Sequence, residues 1–104
     1  EHDRIGDRQR TIDLGAKRAT VNGDETHLTR KEWQVLELLV RNPGKLVSQR
    51  QVLQEVWGPQ YETETDYLRV FIASLRRKLE PEPSKPRYLI TEPGMGYRFV
   101  DSPG

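Results

Sequence analysis

The stretch Thr65-Asp66-Tyr67-Leu68-Arg69-Val70-Phe71-Ile72-Ala73-Ser74-Leu75-Arg76-Arg77-Lys78-Leu79 decides the fold of this chain. At about 100° per residue, Leu68, Ile72, Leu75 and Leu79 fall on one stripe, the spacing of a helix with one buried side. The far side carries Asp66, Arg69, Val70, Ala73, Arg76 and Arg77, with Ser74 at one margin. Arg69 and Arg76 project in nearly the same direction two turns apart, and Ala73 between them leaves room for close approach. Such a face suits base edges: a guanidinium donates two parallel bonds to guanine O6 and N7 and discriminates by roughly 1–3 kcal/mol. For any one helix a solvated basic face is the plainer reading, so the neighbouring segments carry the choice.

Upstream, Ser48-x-x-Gln51 is a helix start signal, with Val47 and Val52 placed as a hydrophobic staple. Val52, Leu53 and Val56 supply the buried side of that short helix, and Trp57-Gly58-Pro59 ends it. The same signal stands earlier at Thr29-x-x-Glu32, flanked by Leu28 and Trp33. Apolar Trp33, Leu36, Leu39 and Val40 follow at helical spacing until Asn42-Pro43-Gly44 stops them. Two capped helices across a tight turn make a helix-turn-helix. Still earlier, alternating runs Thr11 to Leu14, Arg18 to Val21 and Glu25 to Leu28 read as strands, with Asn22-Gly23 as a hairpin turn. Downstream, Pro81 and Pro83 forbid continuation of the third helix. A second hairpin follows, Tyr88 to Thr91 and Tyr97 to Val100, around Glu92-Pro93-Gly94-Met95-Gly96. The expected architecture is α+β: a winged helix-turn-helix with an N-terminal antiparallel sheet, three helices and a C-terminal β-hairpin wing. Residues 11–101 form the domain, 1–10 read as a linker remnant cut from a longer chain, and 102–104 as a tail.

Composition bounds the function. A chain of 104 residues suits one domain. Its formal net charge of +1 announces no nucleic-acid partner, so the electrostatic case rests on placement. Asp66 to Leu79 holds Arg69, Arg76, Arg77 and Lys78 against a single acid, while Glu62, Glu64, Glu80 and Glu82 flank it. The absence of cysteine removes disulfides, zinc fingers and thiol catalysis, and makes a reducing cytoplasm the simplest compartment. No apolar run is long enough for a membrane span or a signal peptide. His2 and His27 are isolated, and neither a Gly-rich phosphate loop nor an acidic metal cluster occurs, so the expectation is no enzyme, no metal and no cofactor.

Tyr67-Leu68-Arg69-Val70, Leu75-Arg76-Arg77-Lys78-Leu79 and Gly94-Met95-Gly96-Tyr97-Arg98-Phe99 together resemble the OmpR/PhoB family of two-component response regulators. The likeness runs from about Thr11 to Val100 and includes Leu28-Thr29 with Glu32, Pro43-Gly44, Val47-Ser48-Gln49-Arg50 and Val56-Trp57-Gly58. Trp57-Gly58-Pro59 and the segment Arg87 to Phe99 are most similar to its KdpE branch, regulators of a high-affinity potassium-uptake operon. The resemblance implies a four-stranded N-terminal sheet and a receiver domain that lies outside this chain and answers to a sensor histidine kinase. It implies paired receivers when phosphorylated and direct-repeat half-sites in promoter DNA; the isolated domain is expected to be a monomer. Carried over by position, Arg69, Val70, Ala73, Ser74, Arg76 and Arg77 become recognition-helix contacts. Trp57 becomes a phosphate contact through its indole N–H, and Thr91, Gly94 and Tyr97 become wing contacts. Gln49 and Arg50, in the first turn of the second helix, read as phosphate partners. Gln60, Tyr61 and Glu62 lie in the loop that family members turn to RNA polymerase.

Each residue has a structural reading beside the functional one. Trp57 and Phe71 suit the core margin, Tyr97 and Thr91 suit strand packing, and Gly94 and Gly96 suit turn geometry. Asp66 suits the positive end of a helix. Pro93 stands where relatives carry a basic residue, which weakens the case for wing insertion into a minor groove. The competing functional class is a winged helix that binds only protein, and it predicts weak salt dependence where DNA binding predicts a steep one.

Overall fold

The computed structural model describes residues 4–6 and 10–100. An antiparallel meander opens the chain, with β1 (Arg4–Gly6), β2 (Arg10–Asp13), β3 (Arg18–Val21) and β4 (Asp24–Thr26) in that spatial order. Val21 pairs with Asp24 across Asn22 and Gly23, whose φ values of 55° and 87° make the two-residue turn whose twist matches the strands. Two strands reach into the segment expected to be a linker: β1 pairs Ile5 with Ile12, and β2 starts at Arg10. The three-residue β1 is too short to show alternation, so periodicity could not find it.

Helices α1 (Arg30–Val40), α2 (Gln49–Val56) and α3 (Thr65–Leu79) follow. Thr29 closes the expected capping box in both directions: its hydroxyl accepts from Glu32 N and its own N–H donates to the Glu32 carboxylate at 2.8 Å. At Ser48 only half of the box forms. The hydroxyl accepts from Gln51 N, but the Gln51 amide turns to Glu55, because Ser48 is already paired with Gly96 in a sheet. That sheet is β5 (Val47–Ser48) against β7 (Gly96–Phe99), with β6 (Leu89–Glu92) on its other side. The wing strands therefore run one residue off the expected limits, and β5, two residues long, has no signal of its own.

The core is shared by all layers. Val35, Leu36 and Leu39 of α1, Val52 and Leu53 of α2, and Leu68, Ile72 and Leu75 of α3 are buried. They meet Leu89 and Phe99 of the wing and, from the first sheet and its turn, Ile12 and Leu14. Each such side chain contributes roughly 1.5–3 kcal/mol of hydrophobic stabilisation. The helix-turn-helix and the wing thus share one core, which fixes the azimuth of α3.

Candidate nucleic-acid interface

Because α3 buries Leu68, Ile72, Leu75 and Leu79, its helical rotation turns Asp66, Arg69, Val70, Ala73 and Arg77 away from the core. Val70 is 63% exposed, an unusual position for a branched apolar side chain in a domain with few apolar residues to spare. Arg69 pairs with Asp66 at 3.3 Å, both almost fully in solvent. An exposed pair of this kind contributes about 0–1 kcal/mol, so Arg69 can leave it for a stronger acceptor. Arg77 is exposed and makes no side-chain bond or ion pair among the described residues. Ala73 lies half-buried between Arg69 and Arg77 and keeps the helix surface low.

Two residues expected on this face are turned to other work. Arg76 donates through Nε and Nη2 to the Leu89 carbonyl at 3.0 and 2.7 Å, and through Nη2 to Thr91 Oγ1 at 2.6 Å. Both of its two-pronged faces use Nη2, so a bidentate grip on guanine requires breaking these bonds. Arg76 fastens α3 to strand β6, and its desolvation there lowers its pKa. Ser74 sits at the α1 side of the helix and donates its hydroxyl to the Glu32 carboxylate.

The wing is held from several directions. Arg98 bonds Glu92 at 3.1 Å and the Gly44 carbonyl at 2.7 Å, tying β7 to the turn after α1. Gly94 turns the tip at a φ of 74°. Gly96 has a different reason to be glycine: a Cβ there would stand 2.1 Å from the Val47 carbonyl, so it permits the approach of β5. Tyr97 is only 3% exposed, so most of its side chain packs in the core, the structural side of its expected double role. Burial raises its phenol pKa, and the nearby charges of Arg76 and Arg69 pull the other way. Thr91 is exposed, with its hydroxyl taken by Arg76.

On the other flank of α3, Trp57 caps α2 and stands edge-on to Tyr67 and Phe71, with ring centroids 5.4 and 5.0 Å away. Lys31 donates to the Val56 carbonyl at 2.8 Å and lies 5.6 Å from the Trp57 ring centroid. The indole is half-buried, and its N–H finds no protein acceptor among the described residues. Packing and outward donation are thus compatible in the one residue. Gln49 is half-buried beside the wing tip, its backbone N–H directed to the Met95 carbonyl at 3.4 Å. Arg50 reaches across to Glu62 at 3.1 Å, which holds the α2–α3 loop over α2. In that loop Gln60 and Glu62 are exposed, while Tyr61 packs partly against the core.

Three polar residues hold this surface in place through contacts that the sequence reading did not foresee. Glu32 is buried and accepts from Thr29 N, Lys78 Nζ at 2.7 Å and Ser74, welding the start of α1 to the middle of α3. Burial opposes its charge, yet the bonds from Lys78, Ser74 and Thr29 prevail and hold its pKa below the usual carboxylate value. Glu80, also buried, accepts from the N–H groups of Arg87, Tyr88 and Leu89 and so sets the start of the wing. Arg10 donates to the Leu79 carbonyl at 2.6 Å, joining the first sheet to the C-terminus of α3. Only Glu32 had a signal in sequence, as a capping residue; the other partners are 7 to 69 positions away.

Among the described residues no cluster of potential metal ligands occurs, and no helix is long and apolar enough to cross a membrane. Residues 23–99 match the family model described as transcriptional regulatory protein, C terminal. The chain is 60% identical over 89 residues to the transcriptional regulatory protein KdpE of Mycobacterium tuberculosis, covering 86% of this chain and 39% of that protein. It is 46% identical over 90 residues to the KDP operon transcriptional regulatory protein KdpE of Escherichia coli, covering 86% of this chain and 40% of the other. It thus spans about two-fifths of the length of these relatives. The response regulator DrrB of Thermotoga maritima, an OmpR/PhoB homologue, superposes with a TM-score of 0.82 at 28% identity, over 94% of this chain and 44% of that one. A C-terminal regulatory match, this likeness and a bare helix face beside a wing agree: the chain belongs to the OmpR/PhoB family of response regulators, as a winged-helix DNA-binding domain and not an enzyme.

Proposed function

We propose that this domain reads duplex DNA sequence-specifically, with α3 in the major groove, Arg69, Val70 and Ala73 toward the base edges and Arg77 toward a flanking strand. The observation that carries the reading is the outer face of α3. It combines an exposed apolar side chain, a low alanine and two guanidiniums held by little or nothing. Val70 suits a thymine methyl and Arg69 a guanine edge. Arg76 serves as the strut that fixes the wing, Ser74 anchors α3 to α1, and Trp57, Gln49 and Arg50 face the sugar–phosphate strands. Thr91, Gly94 and the Tyr97 hydroxyl form the wing side of the contact.

Likeness to the two KdpE proteins supports control of a potassium-uptake operon in the cytoplasm, by way of a receiver domain and a sensor histidine kinase. The isolated domain acts as a monomer. Phosphorylated receivers pair two such domains on direct-repeat half-sites, raising the effective concentration of the second. The exposed Gln60 and Glu62, with Tyr61 as their anchor, meet RNA polymerase. Selection of bound sequences from a random duplex library, then titration of the winner at two salt concentrations, tests the central claim. A recurrent motif with salt-sensitive binding supports it. No enrichment gives the surface to a protein partner instead.

A further inference from the structure

Several cations around α3 are committed within the protein: Arg76 holds the wing, Lys78 the Glu32 carboxylate, Lys31 the end of α2 and Arg98 Glu92, while Arg69 and Arg50 sit in exposed ion pairs. Arg30 and Arg77 differ. Both are exposed, neither has a side-chain partner among the described residues, and both line the same groove, a hollow of about 480 Å³ between the first turn of α1 and the outer side of α3. Val70 and Phe71 give the groove an apolar floor. Glu32 also lines it, but its carboxylate is answered by Lys78, Ser74 and the Thr29 N–H. The net character of the groove is two uncommitted guanidiniums on facing walls over an apolar base.

That combination fits a sugar–phosphate strand: deoxyribose against an apolar floor and a phosphate oxygen for each guanidinium. We propose that the groove between α1 and α3 seats one DNA backbone strand, with Arg30 and Arg77 clamping its phosphates from opposite walls. The proposal rests on α3 facing DNA and adds α1 to the contact surface. The strand runs on the α1 side of α3, away from the wing, so the duplex is gripped on both flanks of the recognition helix. Arg30 contributes affinity and register to every sequence and reads no base.

The test uses the whole chain and a fluorescein-labelled duplex of random sequence, titrated over a range of salt for wild type, Arg30→Ala, Arg77→Ala, the double variant and Arg18→Ala. Arg18 is an exposed arginine on β3 and serves as the control for net charge. Arg30→Ala is expected to weaken binding about 3- to 10-fold and to flatten the slope of log K against log salt by about 0.9, with an unchanged melting temperature. The double variant should lose about twice that slope. Unchanged affinity and slope in Arg30→Ala, beside a wild type that binds, would overturn the groove and leave α3 as a DNA reader. An equal loss in Arg18→Ala would reduce the effect to overall charge and overturn it too. A wild type that ignores DNA at low salt would overturn both readings.

Discussion

Arg69 and Arg76 look alike in sequence, two turns apart on one helix, and their replacement should separate cleanly into two kinds of defect. Arg76→Ala removes a charged donor from three hydrogen bonds, two to the Leu89 carbonyl and one to Thr91. Hydrogen bonds to charged groups contribute roughly 1.5–3 kcal/mol where they are sheltered, and water can replace part of this at the half-exposed edge of β6. The expected loss of stability is about 2 kcal/mol, or roughly 8–16 °C in melting temperature for a domain of this size. With the wing loosened, binding should weaken alike on cognate and random DNA. Arg69→Ala breaks only an exposed ion pair, so its stability should stay within about 0.5 kcal/mol of wild type. Its binding should fall by about 1–3 kcal/mol on the cognate site and little on random duplex. Urea unfolding with fluorescence titration on both duplexes measures each quantity. Undiminished stability in Arg76→Ala, with a loss confined to the cognate site, would refute the strut and restore Arg76 as a base reader.

Other consequences are as direct. Gly96→Ala forces a Cβ to within 2.1 Å of the Val47 carbonyl, so β5 must part from β7. Denaturant unfolding should show a loss above about 2 kcal/mol, and a near-neutral variant would disprove that close approach. Glu32 has a lowered pKa, so its contribution is fully present above the ordinary glutamate value of 4.5 and is lost as pH falls through its lower folded value. Glu32→Gln should therefore cost about 1–3 kcal/mol at pH 7 and remove part of the acid-side slope of stability, both read from melts across pH 3 to 7. A wild-type acid slope kept intact in the variant would reassign that slope to other carboxylates such as Glu37, whose pKa is also lowered. Trp57→Phe keeps an aromatic ring beside Tyr67 and Phe71 but deletes the N–H. Binding to all sequences should weaken together, and unchanged affinity with an intact fold would leave Trp57 to packing alone.

Features written in local periodicity are legible before any folding is considered. The stripe of Leu68, Ile72, Leu75 and Leu79, the capping box from Thr29 to Glu32 and the Asn22-Gly23 turn each declare themselves within one or two helical turns or a single hairpin. Order along the chain then yields a winged helix and the outward face bearing Arg69, Val70, Ala73 and Arg77. Which polar side chains remain available on that face depends instead on how distant elements pack. Arg76 and Arg77 are adjacent and chemically identical, yet one meets a carbonyl of strand β6 and the other meets solvent. Likewise Tyr97 is drawn into the core by β5, a strand of two residues that forms because Gly96 lets it approach. Such distinctions depend on which distant backbone groups lack partners once the layers have packed, and that condition has no period in the sequence.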